Sequence, residues 1–208
     1  MAYFVIILTI SALLYVLGDF FKNNFLRYTF KPLSTVIIIL YTVFQYPEVS
    51  ELYKYLIIAA LIFSLAGDIF IMLPHDKFVQ GIAAFFIAHM LFILAFVTDI
   101  GLSFNWIWLI PLLIYAIIFL KLILPKTGKL KIPVLVYTIV IVSFLWQAIG
   151  RNGIAMSDSS KYALFGAILF VASDSILAYT RFFKEYKISS FLIHSTYWAA
   201  LFCLSLSV

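Results

Sequence analysis

The sequence predicts an all-α fold: a polytopic membrane bundle of eight transmembrane helices. Three observations point there. Of the 208 residues, 65% are hydrophobic and only 11% charged, with a mean hydropathy of +1.14. A soluble domain carries about 25% charged residues, so this much apolar surface cannot be hidden in one small core. The apolar residues also fall into eight runs near the ~20 residues that a membrane helix needs. Finally, the basic residues collect in the short stretches between runs and alternate in density from one stretch to the next.

The runs cover residues 2–18, 31–47, 52–73, 79–98, 104–120, 131–149, 161–180 and 188–207. The first lacks a basic n-region and a small-residue cleavage site, which predicts a retained span rather than a signal peptide. The second is interrupted by Ser34, Thr35 and Thr42, whose hydroxyls can bond back to their own helix. The third carries Asp68 near its end, and the fourth carries His89 at its middle. Pro111 lies inside the fifth. Pro133 lies in the first turn of the sixth, where proline is tolerated. The seventh carries Asp174 near its end. The eighth holds His194 early and Cys203 late, in an apolar stretch that suits inert packing. One cysteine excludes an internal disulfide and any cysteine-based zinc or iron–sulfur site. Tyrosines and tryptophans crowd near run ends, as interfacial belts do, while Phe fills the interiors. No linker or low-complexity stretch intervenes, so residues 1–208 read as a single integral membrane domain.

Charge sets the orientation. The odd-numbered loops hold Lys22, Arg27 and Lys31; Lys77; Lys121, Lys126, Lys129 and Lys131; and Arg181, Lys184 and Lys187. The even-numbered loops hold only Lys54, Arg151 and Lys161. The positive-inside rule puts the odd loops in the cytoplasm and both termini outside, in what is expected to be a bacterial inner membrane. The net charge of +5 and pI near 9.2 would hint at nucleic acid in a soluble protein. Here the basic residues write topology, and no nucleic-acid partner is expected.

An ionisable group at membrane depth costs about 2.5–3.5 kcal/mol on insertion scales, so such residues are functional candidates by default. The runs contain Asp68, His89, Asp174 and His194. Spans three and seven run in the same direction, and each aspartate sits about six residues before a cytoplasmic end, ~9 Å inside the boundary. Two carboxylates at one depth can share a site. Each follows a small residue, Gly67 or Ser173, which admits a close neighbour. The plainer reading is that each aspartate only bonds an adjacent helix; the matched depth favours the shared site. Either histidine can carry a proton or orient a donor, and either can be a satisfied core residue. No candidate pair has i, i+3 or i, i+4 spacing, so no metal is expected. Lys31 and Arg181 fall at the cytoplasmic face, where together they can hold a phospholipid phosphate.

Four stretches together resemble the lysoplasmalogenase family, also called YhhN-like membrane proteins. They are Lys31-Pro32-Leu33; Gly67-Asp68 followed by Phe78, Gly81, Phe85, Phe86 and His89; Pro133-Val134 with Tyr137; and Gly166-Ala167 through Phe170, Ser173-Asp174-Ser175 and Arg181-Phe182. The second and fourth are the specific ones. The resemblance implies hydrolysis of the vinyl-ether bond of lysoplasmalogens to a fatty aldehyde and glycerophosphoethanolamine or glycerophosphocholine, without a cofactor. It implies Asp68 and Asp174 as catalytic residues; His89, Tyr137, Ser173 and Tyr197 are expected to support them, and Lys31 and Arg181 to hold the head group of a lysophospholipid. One departure stands out: the family tends to carry a glutamine shortly after the tyrosine of the last span, whereas Tyr197 is followed by Trp198, Ala199, Ala200 and Leu201. If that glutamine positions water or head group, activity or substrate differs here.

Two carboxyl groups suit the chemistry. A vinyl ether breaks when its outer alkene carbon is protonated, giving an oxocarbenium ion that water attacks. One group must be a protonated acid and the other a carboxylate, a division of labour that glycoside hydrolysis also uses. Two other classes remain open from the residues alone. One is a small proton- or cation-coupled transporter using the Asp pair, although no span is broken by paired Gly or Pro. The other is a non-catalytic lipid-binding protein.

Overall fold

The computed structural model describes residues 2–208 except 74–76, 185 and 187, and among the described residues there are eight long helices. The helices are α1 (Ala2–Phe20), α2 (Asn24–Phe44), α3 (Glu51–Met72), α4 (Phe78–Ile100), α5 (Trp106–Ile123), α6 (Lys131–Ala155), α7 (Asp158–Phe182) and α8 (Ser189–Leu206). Two 3₁₀ turns, Leu124–Lys126 and Gly128–Leu130, join α5 to α6. Among the described residues there is no strand. Among the described residues seven helices are long and apolar enough to cross a membrane; α2, which carries Arg27, Lys31 and several hydroxyls, is outside that set. Lys187, assigned above to a cytoplasmic loop, lies outside the described residues.

Capping explains where the helices depart from the apolar runs. Asn23 accepts from the Leu26 amide and starts α2 a full seven residues before residue 31. Lys31 and Pro32 are therefore inside a helix and not at its mouth. Ser157 and Ser160 form a capping box that opens α7 at Asp158, and α6 runs on to Ala155 because nothing before Met156 stops it. Arg151 is thus a helix residue, fully buried, and not a loop residue. Leu73 is extended, as the residue before a proline prefers. Hence α3 ends about one turn after Asp68, while α7 continues about two turns past Asp174.

Neighbours in sequence pack as antiparallel hairpins, α1 with α2, α3 with α4 and α7 with α8. Contacts of α4 with α6, α6 with α7, α8 with α2 and α2 with α3 then close these into a ring, leaving α5 outside against α6. The core is aromatic: Phe92, Phe96, Phe144 and Phe170 are fully buried and touch in a chain of tilted, stacked and edge contacts. Alanines at Ala60, Ala88, Ala163, Ala167 and Ala200, all fully buried, let the helices approach closely, as small residues do in lipid.

A polar knot ties one end of the ring. Arg151 Nε donates to Asp99 Oδ2 at 2.7 Å and Nη2 to Ser159 Oγ at 2.8 Å. Its guanidinium carbon lies 4.7 Å from the centre of the Tyr53 ring. Tyr53, Ser159 and Thr42 in turn bond Ser207 and Ser205 at the end of α8. Asp68 and Asp174 lie toward the opposite ends of their helices.

Candidate active site

Three helices converge on Asp68, which is 2% exposed. On α2, Lys31 and Thr35 are four residues apart and so share a face. Thr35 Oγ1 donates to Asp68 Oδ2 at 2.8 Å, and Lys31 Nζ lies 3.6 Å from Oδ1. From α8, the Tyr197 hydroxyl donates to Oδ2 at 2.9 Å. Gly67, beside Asp68, lets α4 come close to α3: a Cβ there would sit 2.6 Å from the Phe85 ring of α4.

Asp174 is supplied more sparsely. Tyr137 of α6 donates its hydroxyl to Oδ2, and Oδ1 has no hydrogen-bond partner among the described residues. Next to it, Ser173 Oγ donates to the Ile193 carbonyl at 3.0 Å and fastens α7 to α8. Ser175, one residue on, pairs with the Tyr115 hydroxyl at 2.6 Å.

Asp68 and Asp174 both line one cavity of about 260 Å³, together with Lys31, Ser173 and Tyr197. Its outer rim carries the Asp19–Arg27 ion pair, 3.1 Å apart and partly exposed. Arg27 and Lys31 are again four residues apart, so α2 presents two cations to this space. On another wall His194 Nδ1–H donates to the Ser190 carbonyl at 2.7 Å, which leaves Nε2 to accept from the Tyr15 hydroxyl at 3.0 Å. The space thus has acid groups within it, cations on one side, and apolar walls from Ile71, Phe85 and Leu177.

The residues singled out from sequence do not all meet here. Asp68, Asp174, Ser173, Tyr197 and Lys31 line the cavity, and Tyr137 reaches it through Asp174. His89 does not line it. Its Nδ1–H donates to the Phe85 carbonyl at 2.7 Å, and its ring packs edge-on against Phe144 and Phe170, with centroids 5.0 and 4.5 Å away. Nε2 is buried without a hydrogen-bond partner. Arg181 is not in the wall either; its guanidinium lies over the Phe78 ring at 4.6 Å. In its place the structure offers Arg27, which had been assigned only a topological role. Thr35, read as an interruption of a span, is a direct donor to Asp68. The one signal that could have found both is the four-residue spacing through Lys31.

The sequence profile of the YhhN family matches residues 26–208. The membrane protein YhhN of Escherichia coli O157:H7 is 25% identical over 193 residues, which covers 93% of this chain and 92% of that one. Human lysoplasmalogenase TMEM86B is 32% identical over 157 residues, 74% of this chain and 64% of the human one. Bovine lysoplasmalogenase TMEM86A is 33% identical over 157 residues, 73% of this chain and 64% of its own. No solved structure matches. With a profile match that takes in both aspartates and nearly the whole bundle, the chain belongs to the YhhN family of membrane proteins.

Proposed function

We propose that this protein is a membrane hydrolase that cleaves the vinyl-ether bond of lysoplasmalogens, releasing a fatty aldehyde and a glycerophospho-alcohol. The observation that carries the reading is the presence of Asp68 and Asp174 in the wall of one membrane-embedded cavity. The name lysoplasmalogenase borne by the human and bovine relatives supports it. One carboxyl group gives its proton to the outer alkene carbon, and the ether oxygen shares its electron pair to form the oxocarbenium ion. The other carboxylate faces that cation and takes a proton from the attacking water. The hemiacetal then collapses, with the proton passing to the departing glycerol oxygen. Water is the only co-reactant.

A single-chain lipid fits this space. Arg27 and Lys31 offer cations to one phosphate, and a cavity of about 260 Å³ has little room for a second chain. All eight helices cross the membrane as one domain, with the basic odd-numbered loops in the cytoplasm. Reporters active on one side only, fused to Val208 and to the Lys126 loop, test this; a cytoplasmic Val208 contradicts it.

The decisive experiment is turnover of a lysoplasmalogen by the purified protein in water enriched in ¹⁸O. Aldehyde is released and the glycerophospho product stays unlabelled, because the bond that breaks joins oxygen to the alkene carbon. Absence of aldehyde, or label in the glycerophospho product, refutes the reaction.

A further inference from the structure

Asp174 borders two spaces. Besides the polar cavity it lines a smaller apolar cleft of about 50 Å³, walled by Phe78 and Ile82 of α4, Tyr115 and Phe119 of α5, and Ala178 of α7. Phe85, Ile71 and Leu177 also border both, so the two spaces meet around Asp174. The polar side chains at the cleft are already bonded, Tyr115 with Ser175, Tyr137 with Asp174, and Thr138 to the Val134 carbonyl. What remains is an apolar wall. Helix α5 packs on α6 and makes no extended contact with α4, so the cleft lies where the ring is least closed.

We propose that this cleft is the chain subsite of the same active site, holding the first carbons of the alkenyl chain, and that Asp174 is the proton donor. The inference rests on the hydrolytic reading above. The volume suits about four water-sized groups, hence the start of a chain whose remainder lies in the bilayer. The phosphate belongs with the cations Arg27 and Lys31 in the polar cavity. A vinyl ether running from that cavity into the cleft places its oxygen on the glycerol side and its outer alkene carbon on the chain side. The carboxyl group at the junction, Asp174, therefore meets the carbon that takes the proton. Its one free oxygen is suited to carry that proton. Asp68, held by three donors from Lys31, Thr35 and Tyr197, is matched to the carboxylate role beside the cation and water. The proton given up by Asp174 forms the new C–H bond, and the proton taken from water by Asp68 balances it.

A saturated, uncleavable lysolipid ether carrying a diazirine on the second chain carbon tests this in the full-length protein. On illumination such a probe esterifies a neighbouring carboxyl group, and the site is read by peptide mass spectrometry. The expected result is label on Asp174, competed by unlabelled lysolipid. Ala178→Leu, which narrows the cleft, should lower that label about tenfold, the scale of one methylene group in an apolar pocket. Label on Asp68, label on α1 or α8, no competable label, or indifference to Ala178→Leu overturns the proposal. Labelling needs no turnover. A failure of hydrolysis shows instead as missing aldehyde from a true vinyl ether, so the two failures are distinguishable.

Discussion

Lys31 Nζ stands 3.6 Å from Asp68 Oδ1, at a point where the lysine is 8% exposed and the aspartate 2%. Removing one member of a buried pair leaves the other uncompensated, at a cost of about 3 kcal/mol, while replacing both is often nearly neutral. Asp68→Asn should therefore lower the unfolding midpoint in detergent, and Lys31→Met on that background should recover most of it. Equal midpoints for wild type and Asp68→Asn would mean that the two charges are not coupled.

Asp174→Asn should carry no such stability cost, because among the described residues Asp174 is in no ion pair and is bonded by the Tyr137 hydroxyl. Asparagine keeps the volume and an acceptor for Tyr137 but cannot donate an acidic proton. Each single Asp→Asn change should reduce turnover by at least about 10²-fold, the usual range for a lost general acid or base. The double variant should be little worse than either single one, since groups acting as a unit are not additive. Wild-type rates from both singles, at normal folded yield, would remove the aspartates from the chemistry.

Gly67→Ala tests the closeness of α3 and α4. The new methyl would meet the Phe85 ring at 2.6 Å, and overpacking of this kind costs about 1–3 kcal/mol. Phe85 borders both the cavity and the cleft, so turnover should fall alongside the unfolding midpoint. If neither changes, Phe85 yields freely and does not shape the site.

Arg151→Met acts at the other end of the ring. It strips the partner from Asp99 and leaves Ser159 without its donor, so a loss of about 3 kcal/mol is expected from the broken pair. Turnover per folded molecule should stay at the wild-type value, because Arg151 lines neither space. A selective loss of turnover at unchanged stability would show that this end of the bundle communicates with the aspartates.

The legible and illegible parts of this protein differ in range. Apolar periodicity places the long helices because each is a local matter of some twenty residues facing lipid. It misplaces the start of α2, where a cap at Asn23 overrides the polar look of residues 24–30, and it leaves Arg151 in a loop. The cost of burying a carboxylate singles out Asp68 and Asp174, and both line the polar cavity. It says nothing about which helices supply their donors. Thr35, Lys31 and Tyr197 reach Asp68 from α2 and α8, and only packing reveals that. The cleft was invisible for the same reason: its walls belong to α3, α4, α5, α6 and α7, and each apolar wall residue alone is an ordinary lipid-facing or core side chain.

The meeting of a polar cavity and an apolar cleft at Asp174 also bears on what happens after bond cleavage. A fatty aldehyde is an electrophile that condenses with amines. Among the described residues Lys31 is the one lysine in the polar wall, where it is turned to Asp68, and the cleft wall carries no amine. On the proposed reaction the aldehyde slips along the cleft into the bilayer, while the glycerophospho product leaves past Asp19 and Arg27 toward water. On that proposal, products of opposite solubility part by opposite doors, and the protein's amines are kept from imine formation with the aldehyde.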